Sequence, residues 1–253
     1  TPTTEISTLS LHDALPIWGN TTGPYHEVYN TCGYGNAVMG LVDFSPMTNG
    51  LGGAPVTLPI ANLNRGTFYC TIQDAINDVA TVNGDVIKIN VADYTEPGQI
   101  LVTKTLTLTG LGKTSTILRC NINTGTGHPN DASAWILTSV GTDVTIKDMT
   151  IDGNGKSIWT AARFKDDGLV DNVAFNDIKM STYYGTAVQI LNGEVDVTNC
   201  EFTNIGRIGA HFRNGVISGA VISGSFTGNT YTGKGDGNWL DYAVDISGGT
   251  TVT

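Results

Sequence analysis

The sequence has few charged residues, and basic residues are the scarcer kind. Only 14% of the 253 residues are charged, with 13 Lys and Arg against 23 Asp and Glu, which gives a net charge of −10. Binding to nucleic acid or to an anionic membrane surface depends on clusters of Lys and Arg, and the sequence contains no such cluster. We therefore expect no nucleic-acid partner.

Long apolar runs are also absent, and the cysteines are few. No stretch approaches the roughly 18 apolar residues of a membrane-spanning helix, so we expect no membrane span in this chain. The four cysteines are Cys32, Cys70, Cys120 and Cys200, and they lack the C-x-x-C spacing that is typical of zinc sites. Two alternatives stay open for them: a Cys70–Cys120 disulfide in an exported protein, or four buried free thiols.

Four short segments of the sequence share one pattern. Each begins with an apolar residue, has a small polar residue two positions later, and has a larger apolar residue five positions after the first. The segments are 146–151, 170–175, 197–202 and 221–226, and their polar residues are Asp148, Asn172, Asn199 and Ser223. A repeat of about 20–30 residues built from short β-branched runs is typical of a solenoid, in which each coil stacks on the next. Because stacking places equivalent residues above one another, we expect a ladder of hydrogen-bonded polar side chains at one corner.

One segment before these repeats predicts a helix. Thr71 can cap its start together with Asp74 three positions later, and Gly84 ends it. The apolar stripe at helical spacing is Ile72, Ala75, Ile76 and Val79. Strands are expected next at 86–91, 100–102 and 106–108. A helix in this place can cover the apolar side chains that the first coil would otherwise expose to water.

These segments resemble the start of a pectin-lyase-like right-handed parallel β-helix, as found in bacterial surface and secreted repeat proteins. The motifs that carry the resemblance are residues 71–76, 84–89, 94–96 and 105–112. The resemblance covers roughly residues 67–253 and implies an all-β fold, a three-sided solenoid with a short N-terminal capping α-helix. It implies little about activity, because this architecture serves lyases, hydrolases, esterases, phage spikes and non-catalytic surface proteins alike.

The rest of the chain is expected to contain three further segments. Residues 1–17 resemble a translated sequencing adapter, so we expect them to be artefactual and the sequence to be a metagenomic fragment. Residues 18–47 resemble the closing part of a preceding β-helix module in bacterial surface proteins, and the Gly- and Pro-rich residues 48–66 are expected to be a linker. Residues 67–253 are expected to be a β-helix truncated at its C-terminus, a monomeric module of a larger chain.

A second set of aligned strands predicts a binding surface. If Phe164, Ile190, Phe212 and Ile246 point inward, alternation along each strand turns the preceding residues outward. The outward residues are Arg163, Gln189, His211 and Asp245, with Lys165 and Arg213 in a parallel column and Trp135 extending the first column. Such a row of charged, amide, imidazole and aromatic groups could hold a linear polysaccharide. The alternative is that they are ordinary solvated positions of a sheet.

Catalysis has weaker support in the sequence, and no catalytic residue is identified. A lyase needs a base beside carboxylates that hold calcium, but Asp166 and Asp167 are expected to start a turn. A hydrolase needs two or three convergent carboxylates, and the column contains only Asp245. A weak calcium candidate is formed by Asp236, Asn238 and Asp241. These residues fall short of a full calcium-loop pattern, so we expect no cofactor.

The sequence therefore predicts an extracellular or cell-surface module that contacts polysaccharide without catalysis in this fragment. Two alternatives remain: a polysaccharide lyase or glycoside hydrolase of the pectin-lyase-like group, and a structural spacer or adhesin stalk. The sequence does not identify the sugar.

Overall fold

The computed structural model describes residues 24–25, 32, 35–37, 39, 59–234 and 240–253. The chain divides into two units, residues 1–58 and 59–253. In the first unit the described residues include two short parallel strands, β1 (Pro24–Tyr25) and β2 (Gly35–Ala37). The expected adapter segment and most of the expected module remnant, residues 18–47, lie outside the described residues.

The second unit is mostly β-structure with parallel strands, which confirms the expected fold class at that level. Its elements in chain order are β3 (Ile60–Asn62), β4 (Thr67–Tyr69), α1 (Ile72–Asn77), β5 (Asp85–Ile89), β6 (Asp93–Glu96), β7 (Ile100–Val102), β8 (Leu106–Thr109), β9 (Ile117–Cys120), a 3-10 turn (Asp131–Ser133), β10 (Ala134–Thr138), β11 (Val144–Asp152), β12 (Thr160–Phe164), β13 (Gly168–Asn176), β14 (Thr186–Ile190), β15 (Gly193–Thr198), β16 (Glu201–Thr203), β17 (Ile208–Phe212), β18 (Ile222–Thr227), β19 (Thr230–Thr232), β20 (Tyr242–Ile246) and β21 (Thr251–Val252). The unit begins at Pro59, inside the segment expected to be a linker, because β3 pairs with β4 and β5.

Parallel pairing joins strands that lie one coil apart in the sequence. A six-stranded sheet contains β7, β10, β12, β14, β17 and β20 in that order. A second ladder runs from β5 through β8, β11, β13, β15 and β18 to β21, with antiparallel β3 and β4 beyond β5. Because β11 and β13 are nine residues long, they also pair with β9 and β16 of a third set of short strands. In this set β6 pairs with β9 and β16 pairs with β19. Along the chain, the strands from β5 to β21 thus join three ladders in one recurring order.

The register stacks like residues in the core, as the repeat pattern predicts. Ile146 lies opposite Val170, and Phe175 lies opposite Phe202. The rings of Phe175 and Phe202 are fully buried, with centroids 5.4 Å apart and planes inclined by 4°. Aromatic stacking of this kind adds to the stability gained from burial alone.

The polar corner ladder forms in part. Asp148, Asn172 and Asn199 have φ angles of 56°, 54° and 54°, a left-handed backbone that Asn and Asp tolerate better than other side chains. Asn172 Nδ2 donates to Asp148 Oδ1 at 2.8 Å. Asn199 Nδ2 donates instead to Asp171 Oδ1, also at 2.8 Å, so the ladder continues through a neighbouring carboxylate.

The fourth repeat has a different register from the one predicted. Phe226 lies opposite Val197, and Tyr231 takes the place opposite Phe202. Ser223 is therefore not at the corner position of the ladder. Both Phe226 and Tyr231 have ring centroids near that of Phe202, at 5.8 and 6.4 Å, so a pattern based on large apolar residues fits either register.

The helix is shorter than predicted. Thr71 caps it, since its Oγ1 accepts the backbone N–H of Asp74 at 2.9 Å, but α1 ends at Asn77. Asp78 adopts an extended backbone that ends the helix, and Val79 is 96% exposed. The buried residues of α1 are Ile72, Ala75 and Ile76, and they pack the helix against β3, β4, β5 and β7.

The structure corrects both expectations for the cysteines. Cys120 and Cys200 are free and buried, and burial raises the pKa of their thiols to about 11 and about 12. Cys70 is disulfide-bonded. The Cys70–Cys120 disulfide is therefore absent, and the cysteines are not four free thiols.

Candidate functional site

The predicted column exists as an alignment of residues in the six-stranded sheet. Arg163 lies opposite Gln189, Gln189 opposite His211, and His211 opposite Asp245. Of the residues expected to point inward, Phe164, Ile190 and Phe212 are fully buried, whereas Ile246 on the edge strand β20 is 47% exposed. The order of the column is as expected from the alternation of side chains along a strand.

The expected exposure of the column is wrong for most of its members. Arg163 and Gln189 are fully buried and His211 is 3% exposed. Residues 121–133, which we name the roof loop, lie over this face of the sheet. Arg163 fixes the loop, since its Nη1 donates to the carbonyl of Asn130 at 2.6 Å and its Nη2 donates to Ser133 Oγ at 2.6 Å. The role of Arg163, Gln189 and His211 in binding a polymer stays a prediction.

Trp135 is likewise buried rather than exposed. Its Nε1 donates to the carbonyl of Gly98 at 3.1 Å, and the side chain is fully enclosed. Leu137, not Trp135, occupies the position opposite Arg163. Trp135 therefore belongs to the buried core cluster and does not extend the Arg163 column.

The parallel column is partly accessible. Lys165 Nζ lies 2.7 Å from Asp131 Oδ2 of the roof loop, with 22% of its side chain exposed. Arg213 Nε is buried and has no hydrogen-bond partner among the described residues. Of the main column, only Asp245 keeps substantial exposure, at 41% of its side chain.

Two histidines meet beneath the roof loop. His128 belongs to the loop, and its Nδ1 accepts Gln189 Nε2 at 2.6 Å. Its ring centroid lies 5.7 Å from that of His211. Burial, followed by the charge of Arg213, lowers the pKa of both imidazoles to about 4. Both rings are therefore neutral near pH 7, and His211 is not the exposed residue that the sequence predicted.

Sequence reasoning missed an aromatic pair at the edge of this face. Trp159 and Tyr184 precede β12 and β14, and their rings stack with centroids 5.0 Å apart and planes inclined by 17°. The edge of His128 lies against Trp159 at 5.6 Å. Tyr184 is 46% exposed, so one ring is presented to solvent with a second ring behind it. We name this pair the Tyr184 platform.

A pocket of about 420 Å³ lies next to the platform. Its walls come from four successive corners of the coils and include Lys156, Lys179, Lys234, Ser181, Thr182 and Asn204. We name it the lysine pocket. The loop that supplies Ser181 and Thr182 also carries Tyr184, whose carbonyl accepts the backbone N–H groups of Met180 and Ser181 at 2.7 and 3.1 Å.

The carboxylates that could support catalysis have other partners. Asp166 Oδ2 accepts the backbone N–H of Gly141 at 2.7 Å, and Asp167 Oδ1 accepts that of Glu194 at 2.8 Å. Both stabilise turns, as the sequence predicted, and neither points to a shared reaction centre with Arg163.

The residues proposed for calcium are described only in part. Asp236 and Asn238 lie outside the described residues. Asp241 accepts the hydroxyl of Tyr231 and, at 2.9 Å, the backbone N–H of Lys234. In the described part of the chain, no three His, Cys, Asp or Glu side chains are grouped so that they could hold a metal ion. The same part of the chain contains no helix of the length and apolar character that a bilayer crossing requires.

Comparison with known proteins gives little further information. No protein-family model and no curated protein matches the chain. A crystal structure of a pectin methylesterase mutant in complex with a hexasaccharide is similar at 15% sequence identity and a TM-score of 0.39. The similarity covers 68% of this chain and 65% of that one. A TM-score this low does not establish a shared fold.

Proposed function

We propose that residues 59–253 form a right-handed, three-sided parallel β-helix whose first coil is covered by α1. The repeated order of the three ladders supports this proposal, because parallel crossovers are right-handed in nearly all proteins. Gln73 of α1 supports the covering role. Its Oε1 accepts the N–H of Leu101 at 2.6 Å and its Nε2 donates to the carbonyl of Leu101 at 3.3 Å, which satisfies the edge of β7.

We further propose that this unit is an exported, cell-surface or secreted module that contacts polysaccharide through the Tyr184 platform. The observation that carries the proposal is the solvent-facing ring of Tyr184, stacked on Trp159 beside a pocket lined by hydroxyl, amide and ammonium groups. Sugars bind to such sites by stacking their apolar face on a ring and by bonding their hydroxyls to nearby polar groups. The disulfide at Cys70 fits an oxidising compartment.

The positions and partners of the carboxylates support a non-catalytic role for this unit. The column offers Asp245 as its only carboxylate, whereas glycoside hydrolysis commonly needs a pair. Asp166 and Asp167 are occupied by backbone amides. Incubation with polysaccharides should therefore release neither reducing ends nor unsaturated sugars, and release of either would favour the hydrolase or the lyase.

Affinity electrophoresis in gels that contain neutral or acidic polysaccharides tests binding. We expect at least one polymer to retard the protein, and Tyr184→Ala and Trp159→Ala to weaken that retardation severalfold, because each removes part of the stacked pair. Tyr183→Ala is the matched control, since Tyr183 is a neighbouring exposed tyrosine outside the stack. If a folded protein is retarded by none of the polymers, the spacer or adhesin stalk is the better interpretation.

A further inference from the structure

The lysine pocket carries an excess of positive charge in an acidic protein. Three of the 13 basic residues in a chain of net charge −10 line this one cavity. No Asp or Glu belongs to its walls among the described residues. The other polar groups of the walls are hydroxyls and an amide, which can donate hydrogen bonds to an anion.

Lys234 is held in place by uncharged partners. Its Nζ donates to the carbonyls of Thr182, Gly206 and Leu240 at 2.7, 2.8 and 3.3 Å. It forms no ion pair with a carboxylate of the described residues. These three bonds use all the N–H donors of the ammonium group, and since carbonyls do not neutralise it, Lys234 adds positive charge to the pocket without donating a hydrogen bond to a ligand.

The second and third lysines differ in how far they are neutralised. Lys179 Nζ lies 2.8 Å from Asp177 Oδ1, and that same oxygen accepts Asn204 Nδ2 at 2.6 Å. Lys156 has no ion-pair partner among the described residues, although it is partly buried in the wall. Three lysines thus line the cavity while one contacting carboxylate offsets their charge, and this imbalance favours a bound anion.

We infer that the lysine pocket binds an oxyanion, the carboxylate or sulfate group of an acidic polysaccharide whose sugar ring lies on the Tyr184 platform. The assignment of the anion to a polysaccharide rests on the proposed function, whereas the affinity of the pocket for an oxyanion does not. Ser181 and Thr182 of the pocket wall and Tyr184 of the platform belong to one short loop. The same loop therefore contributes to both features.

Titration of the full chain with inorganic sulfate and with sodium glucuronate, followed by amide NMR shifts, tests the pocket itself. We expect shifts at residues 155–157 and 179–182 that saturate, and Lys156→Gln and Lys179→Gln to weaken binding about fivefold each. Lys88→Gln is the control, because Lys88 lies on β5 away from the pocket. If the shifts saturate with only one of the two anions, that anion identifies whether the pocket binds a sulfate or a carboxylate group. Absence of saturable shifts with both anions, or equal weakening by Lys88→Gln, overturns the inference.

Retardation by polymers separates this inference from the proposed function. Acidic polymers should be retained more strongly than their neutral counterparts, and added salt should weaken that retention because it screens the lysines. A neutral polymer could instead be retained in a way that is insensitive to salt and is lost in Tyr184→Ala, while neither anion binds the pocket. This result would preserve the proposed function and overturn the inference. Saturable anion binding without retention of any polymer would leave the pocket standing as an oxyanion site and overturn its assignment to polysaccharide.

Discussion

Phe202 illustrates what holds one coil on the next at the level of a single residue. Its ring is fully buried between those of Phe175, at 5.4 Å, and Phe226, at 5.8 Å. Phe202→Ala leaves a cavity there, so we expect the free energy of unfolding to fall by about 3–5 kcal/mol in urea titrations followed by circular dichroism. Phe68→Ala, at an exposed ring of β4, should cost less than about 1 kcal/mol. Equal losses would contradict the packed core at Phe202.

The buried histidines predict how stability depends on pH. The folded-state pKa of His211 is lowered to about 4 from the ordinary value of 6.5, mainly by burial. Between these values the unfolded chain binds more protons, so stability is retained above about pH 6.5 and falls as the pH drops towards 4. We expect His211 to account for a loss of about 2 kcal/mol by about pH 4.5, measured as urea unfolding at successive pH values.

The matched variant for this prediction is His211→Asn, which cannot titrate in this range. Its stability should decline less steeply than that of the wild type as the pH falls. The pKa of Glu96 is raised by burial, which stabilises the folded state as the pH falls and so opposes the histidines. The difference between variant and wild type removes this contribution, and two parallel curves would show that His211 is not buried in a neutral form.

At the scale of elements, the roof loop depends on one side chain of the sheet beneath it. Arg163 bonds Asn130 and Ser133 of the loop and, through Nε, Gln189 at 2.7 Å. In Arg163→Leu we expect amide hydrogen exchange to speed up across residues 127–133 while β14 stays protected. Arg119→Leu, which removes a partly exposed pair with Asp93, should leave the loop unchanged. Unchanged exchange in Arg163→Leu would mean that other contacts hold the loop.

The sequence could predict those parts of the fold and of the candidate site whose contacts repeat at a regular spacing. The register that places Phe164 opposite Ile190 recurs from coil to coil, so the spacing of apolar residues reveals it. The bond from Arg163 to Asn130 spans 33 positions and occurs once, and no periodicity marks it. The alternation of side chains identifies which residues share a face of the sheet, but not what covers that face. The burial of the predicted column could therefore not be predicted from it.

The aromatic pair was missed for a related reason. Trp159 directly precedes β12, whereas Tyr184 precedes β14 by one further residue. Gly185 occupies that extra position with a φ of 149°, and a side chain there would collide with the backbone of Ile178 and Lys179. A strict alignment of the coils places Gly185 opposite Trp159, so the stacked ring is displaced by one residue and the pair is not apparent.

At the scale of the whole molecule, the two ends of the six-stranded sheet differ in what covers them. β7 and β20 are both edge strands, but Ile100 and Val102 of β7 are fully buried and Gln73 of α1 bonds its backbone at Leu101. No residue of β20 is fully buried, and no helix of the described residues packs on it. A strand at the edge of a sheet has a neighbour on one side only, so an uncovered edge strand opens at a lower free energy than the strands between two neighbours.

Hydrogen exchange read by mass spectrometry checks this difference. We expect the amides of β20 to exchange at least about tenfold faster than those of β17, which pairs with a strand on each side, while β7 remains close to β17 in protection. Gln73→Ala should raise the exchange rate of β7 towards that of β20, because it removes both hydrogen bonds to Leu101. Asp74→Ala, at an exposed position of the same helix, is the control for a general loss of helix stability. If β7 and β20 exchange at the same rate in the unaltered chain, α1 does not protect the first coil.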